Sequence, residues 1–345
     1  MLSSSAEKPI FSAFKLKAGL ATLVFAVFGY CAFLLTPAAK NDSRPTLIQI
    51  MPGTSLKQVV GLLDQNHLIK NASAFKILAY VQRKQNKIQI GEFELTPAMS
   101  AGEILHQITD GQSVLYPVTI PEGQRITEIA GILATQGLVD EDAFIASAKN
   151  ETLIQSLGIP ISNLEGYLFP ETYHFTKFTP ADKIVRTMVD TFEQRVMQAE
   201  LLEEVKQSGL SLHEVITLAS VIEKETGMDS ERNRISSVFH NRLKLNMKLQ
   251  TDPSVIYAIE NFDGNIRKKD LFIDSPYNTY KYPGLPPGPI ANPGIKSIQA
   301  ALRPETTEFL FFVSRQDGSH QFSTNLSDHN RAVSKYQLQK VKHSR

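Results

Sequence analysis

Two carboxylates two residues apart, Glu223 and Glu225, stand at the end of a strongly apolar stretch that reads ASVIEKET over Ala219–Thr226. Ser211 and Glu214 have the S-x-x-E spacing of a capping box, so the helix carrying these acids opens at Ser211 and closes near Gly227. At about 100° per residue, Val215, Ile216, Leu218, Ala219, Val221 and Ile222 share one broad apolar face. Glu223 and Glu225 fall on its two shoulders and Lys224 points away. A carboxylate on a half-buried shoulder loses solvation, so its pKa rises and it can hold a proton near neutral pH. That is the requirement for a general acid. Helical geometry does not choose between the two glutamates.

Other chemistries find less support. His240, His320 and His329 are isolated in sequence, with no H-x-x-x-H spacing and no cysteine beside them, so no metal site is expected. There is no G-x-S-x-G elbow and no glycine-rich phosphate loop, and no cofactor is expected. A formal net charge of +1 lacks the basic excess that would point to nucleic acid.

The acids must be held by the rest of the chain. Downstream come QTDPSVIY (Gln250–Tyr257), SPYNTY (Ser275–Tyr280), GLPPGPIANPG (Gly284–Gly294) and FSTNLSDHN (Phe322–Asn330); upstream lies EGYLFPETYHF (Glu165–Phe175). Pro170 breaks helix and presents Glu171 and Tyr173 from a turn. The Pro/Gly-rich loop has little entropy left to lose, which suits a rigid cleft wall. Phe309–Val313 reads as a short buried strand and Ser327–Lys340 as a closing surface helix.

Taken in order, these motifs resemble those of the endolytic murein transglycosylases, the MltG or YceG-like family, over roughly residues 45–340. The resemblance implies that the second acid of the E-K-E triplet, Glu225, is catalytic. It implies cleavage of the MurNAc-GlcNAc β-1,4 bond inside peptidoglycan strands. The C6 hydroxyl would attack its own anomeric carbon and leave a 1,6-anhydro end, so one glutamate serves first as acid and then as base. It also implies a role in limiting strand elongation beside penicillin-binding proteins.

Glu171 and Asp252 are the candidate second carboxylates; Asp252, before Pro253, equally suits a turn. Gln250, Tyr277, Asn278 and Asn325 are candidate groups for N-acetyl and hydroxyl recognition, although asparagines also satisfy loop backbone. Two other readings stay open: a hydrolase that uses Glu225 with Glu171 or Asp252 as base, and a non-catalytic glycan-binding scaffold.

The expected fold class is α+β, led by a single transmembrane helix. Lys8, Lys15 and Lys17 precede the uncharged run Ala18–Thr36, long enough to cross a bilayer. The positive-inside rule leaves residues 1–17 in the cytoplasm and the chain after Lys40 outside the cytoplasmic (inner) membrane, on the periplasmic side. A cleavable signal peptide is the rival, and Pro37 beside the presumed cut argues against it. Cys31 is the chain's one cysteine, so no internal disulfide forms. Asn41–Pro45 reads as a polar linker.

A weak repeat follows, offset by about seventy residues. Ile50-Met-Pro-Gly, Leu56, Gly61, Leu63, Leu68 and Phe75 recur as Ile120-Pro-Glu-Gly, Ile126, Gly131, Leu133, Leu138 and Phe144. Each copy reads as strand, turn, helix, turn and second helix, while Ile88–Leu95 alternates like a strand and Ser100–Thr109 reads as a helix. The resemblance implies a small LysM-like β-α-α-β module at residues 45–112. A mixed α+β catalytic domain at 113–340 follows, with 113–209 connecting and 210–340 forming its core.

Overall fold

The computed structural model describes residues 25–30, 32–157 and 161–338, and the chain divides into two compact units. The first comprises residues up to Tyr116 together with Thr176–Phe178; the second holds Pro117–Phe175 and the chain from Thr179 onward.

In the first unit, β1 (Thr46–Ile50) precedes helices α1 (Leu56–Gln65) and α2 (Ala72–Val81), then β2 (Gly91–Leu95) and α3 (Ala101–Thr109). β1 and β2 pair antiparallel, with Thr46 opposite Leu95 and Ile50 opposite Gly91. Local chemistry sets the helix starts. Ser55 and Gln58 close a capping box on α1, Ser100 and Glu103 do so on α3, and Asn71 caps α2 through Ala74 N–H. Val59, Leu63, Phe75, Phe93, Ile104 and Ile108 are then wholly buried in one core.

Of the expected membrane helix, residues 18–24 and Cys31 lie outside the described residues, as do Lys8, Lys15 and Lys17. Residues 25–30 and 32–34 are helical, with Phe25, Val27, Phe28, Tyr30 and Phe33 exposed. Among the described residues no helix is long and apolar enough to cross a membrane. Leu35 packs on the first unit's core and its carbonyl accepts from Ala101 N–H, so the chain joins this unit before the polar stretch at Asn41–Pro45.

The second unit repeats the same opening. Strand β3 (Tyr116–Thr119) is followed by α4 (Ile126–Thr135) and α5 (Glu141–Ala148), then α6 (Glu151–Ser156) and β4 (Thr172–Phe175), which pairs with β3. The repeat is physical: Leu68 N–H bonds Leu63 C=O at 2.9 Å, and Leu138 N–H bonds Leu133 C=O at 3.1 Å. The turn before each of these leucines needs a left-handed residue, met by His67 (φ 55°) in one copy and by Gly137 (φ 65°) in the other.

The remaining elements are α7 (Ala181–Val196), α8 (Ala199–Ser208), α9 (Leu212–Glu225), α10 (Asp229–Lys244), α11 (Asp252–Ala258), α12 (Ile295–Leu302), the antiparallel hairpin β5 (Phe311–Ser314) and β6 (His320–Ser323), and α13 (Leu326–Val333). The whole is α+β.

Helix α9 is the axis of this unit. It starts at the Ser211–Glu214 capping box and ends at Glu225. The sequence pattern predicts one buried face; instead every residue from Val215 to Ile222 is buried. Thr217 and Ser220 tolerate this because their hydroxyls donate to His213 and Thr217 carbonyls, and Ser220 also accepts Ile290 N–H. The Pro/Gly-rich loop covers one side of the helix, where Gly166 (φ 87°) lies so close to Pro289 and Ile216 that any side chain would collide.

Three predicted ends differ: the strand expected at Ile88–Leu95 is paired only from Gly91, opposite Ile50. The strand expected at Phe309–Val313 begins at Phe311, and only Val313 is buried, because a two-stranded hairpin covers few of its side chains. The closing helix is α-helical to Val333 and continues as a π turn over Ser334–Leu338; Lys340 lies outside the described residues.

Candidate active site

The two acids at the end of α9 have separate environments. Glu223 is fastened on both oxygens: Oε1 takes the Arg232 guanidinium at 3.2 Å and Oε2 accepts Gly294 N–H at 3.0 Å. Both side chains of this ion pair are more than nine-tenths buried, and Arg232 also pairs with Asp229. Lys224 Nζ donates to Gly123 C=O at 3.1 Å, and Gly123 N–H bonds Asn292 C=O at 2.8 Å. The turn of the second repeat and the Pro/Gly-rich loop are thereby tied to the helix end. Glu223 is occupied with structure.

Among the described residues no cation pairs with Glu225 as Arg232 pairs with Glu223. Burial pushes its carboxyl up to about 7, and the nearby Asp252 carboxylate pushes the same way. The Thr251 hydroxyl and the Arg242 guanidinium pull in the opposite direction without cancelling the effect of burial. Thr251 Oγ1 is buried and closes no hydrogen bond of normal geometry. A half-buried acid that keeps its proton to neutral pH is equipped to donate it.

Around it, Asp252 is exposed at the start of α11, where Pro253 suits the first turn, and Oδ1 accepts the Tyr280 hydroxyl at 2.6 Å. Arg242 binds the carbonyls of Leu249 (2.7 Å), Lys248 (3.2 Å) and Leu310 (2.7 Å), so it fastens the turn before Gln250 to the lead of β5. Gln250 is exposed with φ 53°, its N–H on Thr279 C=O.

The other sequence candidates are placed as follows. Tyr277 packs its ring on Tyr257, centroids 4.8 Å apart. Asn278 is fully buried; its amide donates to Leu271 and Ile273 carbonyls at 3.0 and 2.8 Å and accepts Tyr280 N–H. Asn325 caps α13 through Asp328 N–H at 3.0 Å. Glu171 pairs with Arg195 at 2.8 Å on the wall of a charged pocket of about 490 Å³ shared with Glu122, Glu200 and Arg303. Asp252, not Glu171, is the carboxylate that acts on Glu225.

The sequence reading passed over Glu165. Only 5 % exposed, its Oε1 accepts Ile126 N–H (3.1 Å) and the Asn292 amide (3.0 Å), and its Oε2 faces the Tyr257 hydroxyl at 3.4 Å. Burial pushes its carboxyl up to about 7, against the smaller opposing effects of Ile126 N–H, Arg125 and the Tyr257 hydroxyl. The signal available was an acid lodged among Leu164, Tyr167, Leu168 and Phe169, all buried. Tyr280, Thr251 and Arg242 were also missed as neighbours of Glu225.

Among the described residues no three His, Cys, Asp or Glu side chains gather as a metal cluster. The histidines have local partners: His240 on Ala301 C=O (2.8 Å), His320 on Glu231 (2.7 Å) and His329 stacked on Phe311.

The α+β scaffold thus ends its central helix in a protonable glutamate beside Asp252. The chain belongs to the YceG-like family, whose model matches residues 48–335. It is 36% identical over 331 residues to the endolytic murein transglycosylase of Bacillus subtilis, covering 91% of each chain. It is 29% identical over 343 residues to a protein of that name from Streptococcus pneumoniae, covering 90% of this chain and 62% of the relative. A crystal structure of a yceG-like protein from Listeria monocytogenes is similar with TM-score 0.58 and 33% identity, over 83% of this chain and 98% of that one.

Proposed function

We propose that the protein is an endolytic lytic transglycosylase that cuts peptidoglycan glycan strands, with Glu225 as its acid and then its base. The observation that carries this reading is the half-buried Glu225 carboxyl, raised to about 7 and free of the ion pairing that engages Glu223. The protonated carboxyl delivers its proton to the glycosidic oxygen as the bond to the anomeric carbon breaks. The resulting carboxylate takes the C6 hydroxyl proton as that oxygen closes on the anomeric carbon. The proton returns to Glu225, no water is consumed, and a 1,6-anhydro end remains. Gln250, Asp252 and Tyr277 flank the substrate in this reading, while Glu171, Asn278 and Asn325 support the wall.

The uncharged run from Ala18 up to Leu34, before Leu35 packs on the first unit, anchors the enzyme in the cytoplasmic membrane and confines cutting to nascent strands outside it, which limits their elongation. The β-α-α-β order of the first unit suits a LysM-like glycan-holding module, and penicillin-binding proteins making the strands are natural neighbours. A hydrolase is the second reading, favoured by Asp252 beside Glu225 as a carboxylate that could activate water.

Digestion of purified glycan strands by the full chain in detergent separates them. Internal fragments ending in anhydro sugars, one water lighter than hydrolysed ends and missing with Glu225→Gln, are expected. Fully hydrated ends would make the enzyme a hydrolase.

A further inference from the structure

The second unit has another recess, of about 290 Å³, walled by Ser162, Asn163, Glu165, His213, Tyr277 and the Pro287–Pro289 turn. Its volume is at the small end for a small-molecule site. Among the described residues no side chain with a permanent positive charge lines it. His213 is doubly bonded: its Nε2 faces Pro287 C=O at 3.1 Å and its Nδ1 the Tyr167 hydroxyl at 2.9 Å. A carbonyl only accepts, so Nε2 carries the hydrogen and Nδ1 accepts from Tyr167. Asn163 caps Glu165 N–H with Oδ1 at 2.9 Å, and Tyr277 brings an aromatic ring and a hydroxyl. With Glu165 and His213 engaged inside the protein, the wall offers a ligand the Ser162 and Tyr277 hydroxyls and the Asn163 amide NH₂ beside proline and tyrosine surface. That suits a neutral polyhydroxylated ring and offers nothing for a phosphate. The Glu171 pocket is the opposite, crowded with charge of both signs.

The recess and Glu225 are built on the same elements. His213 and Glu225 stand in the first and last turns of α9, twelve residues or about 18 Å apart at 1.5 Å per residue. Tyr277 is three residues before Tyr280, which bonds Asp252 beside Glu225. Tyr257, under Tyr277, belongs to the helix that Asp252 opens.

We propose that this recess is a remote sugar-binding subsite that takes one N-acetylhexosamine residue of a glycan strand several units from the bond cut at Glu225. The proposal rests on the transglycosylase reading for the identity of the strand. Such a subsite disfavours cutting within a few units of the strand end on its own side of Glu225.

Ser162 is exposed on the rim, so Ser162→Trp closes the mouth with little demand on packing. Gly288 has an ordinary φ, and an added methyl would reach 3.3 Å from the Tyr277 hydroxyl, so Gly288→Ala narrows the recess from within. Calorimetric titration of glycan oligosaccharides of graded length into the full chain, in a Glu225→Gln background, reads the effect. Affinity should step up once the oligosaccharide spans the wall. Each variant should lose that step by about tenfold and converge with the parent on shorter ligands. An unchanged length dependence in both variants, or an equal loss at every length, would overturn the subsite. Product masses from the Glu225 parent judge the reaction separately: hydrated ends defeat the transglycosylase reading while the titrations still decide the recess.

Discussion

Replacing Glu165 with glutamine isolates the cost of a buried acid. The folded carboxyl sits at about 7 against an ordinary 4.5, because burial disfavours its charged form. Between those values the unfolded chain releases this proton and the native chain keeps it, so stability falls as pH rises through the window. Above it the penalty is constant; below it there is none. A gap of about 2.5 pKa units at 1.36 kcal/mol each corresponds to about 3 kcal/mol. Glutamine imitates the protonated acid, since its carbonyl can accept from Ile126 N–H and Asn292 as Oε1 does. Thermal melts of Glu165→Gln and the parent should agree within a couple of degrees near pH 4.5 and diverge towards pH 8. The variant should then melt about 6–12 °C higher, at roughly 2–4 °C per kcal/mol for a domain of this size. A difference independent of pH would refute the reasoning.

Glu225→Gln should abolish cleavage and, by the same sign, melt higher than the parent above pH 7. Parent activity should decline as pH rises through about 7, where Glu225 loses its proton, which a rate profile on soluble strands reads directly. Asp252→Asn keeps an acceptor for Tyr280 yet removes a charge that raises Glu225, so the alkaline limb of that profile should move to lower pH with the anhydro product retained. Arg232→Met leaves Glu223 buried without its cation and should cost about 3–5 kcal/mol in denaturant titrations, whereas Glu223→Gln should cost less because Gly294 N–H keeps an acceptor.

The helix bearing the acids was readable because its signals are local: a capping box at Ser211–Glu214 and an apolar core that runs to the acids. The repeat was readable for the same reason, its spaced leucines and turn residues being the ones buried or left-handed. What stayed hidden depends on distant partners. Glu165 meets Ile126 and Asn292, and Asn292 in turn bonds Gln124, contacts no spacing rule contains. The all-round burial of α9 follows from Ser220 meeting Ile290 in a loop seventy residues on. Asn278 and Asn325 have the residue types of sugar ligands, and only their bonds show them serving a turn and a cap. Between Glu223 and Glu225, Arg232 and Gly294 supply the distinction that helical geometry lacks.

The most direct test of the central claim is digestion of glycan strands in ¹⁸O-labelled water, followed by mass analysis of the new reducing ends. Glu225 acting alone as acid and base, with the C6 hydroxyl as nucleophile, predicts anhydro ends carrying no label. Reducing ends that carry one ¹⁸O would show that water attacks the anomeric carbon, with Asp252 the first residue to suspect as its base.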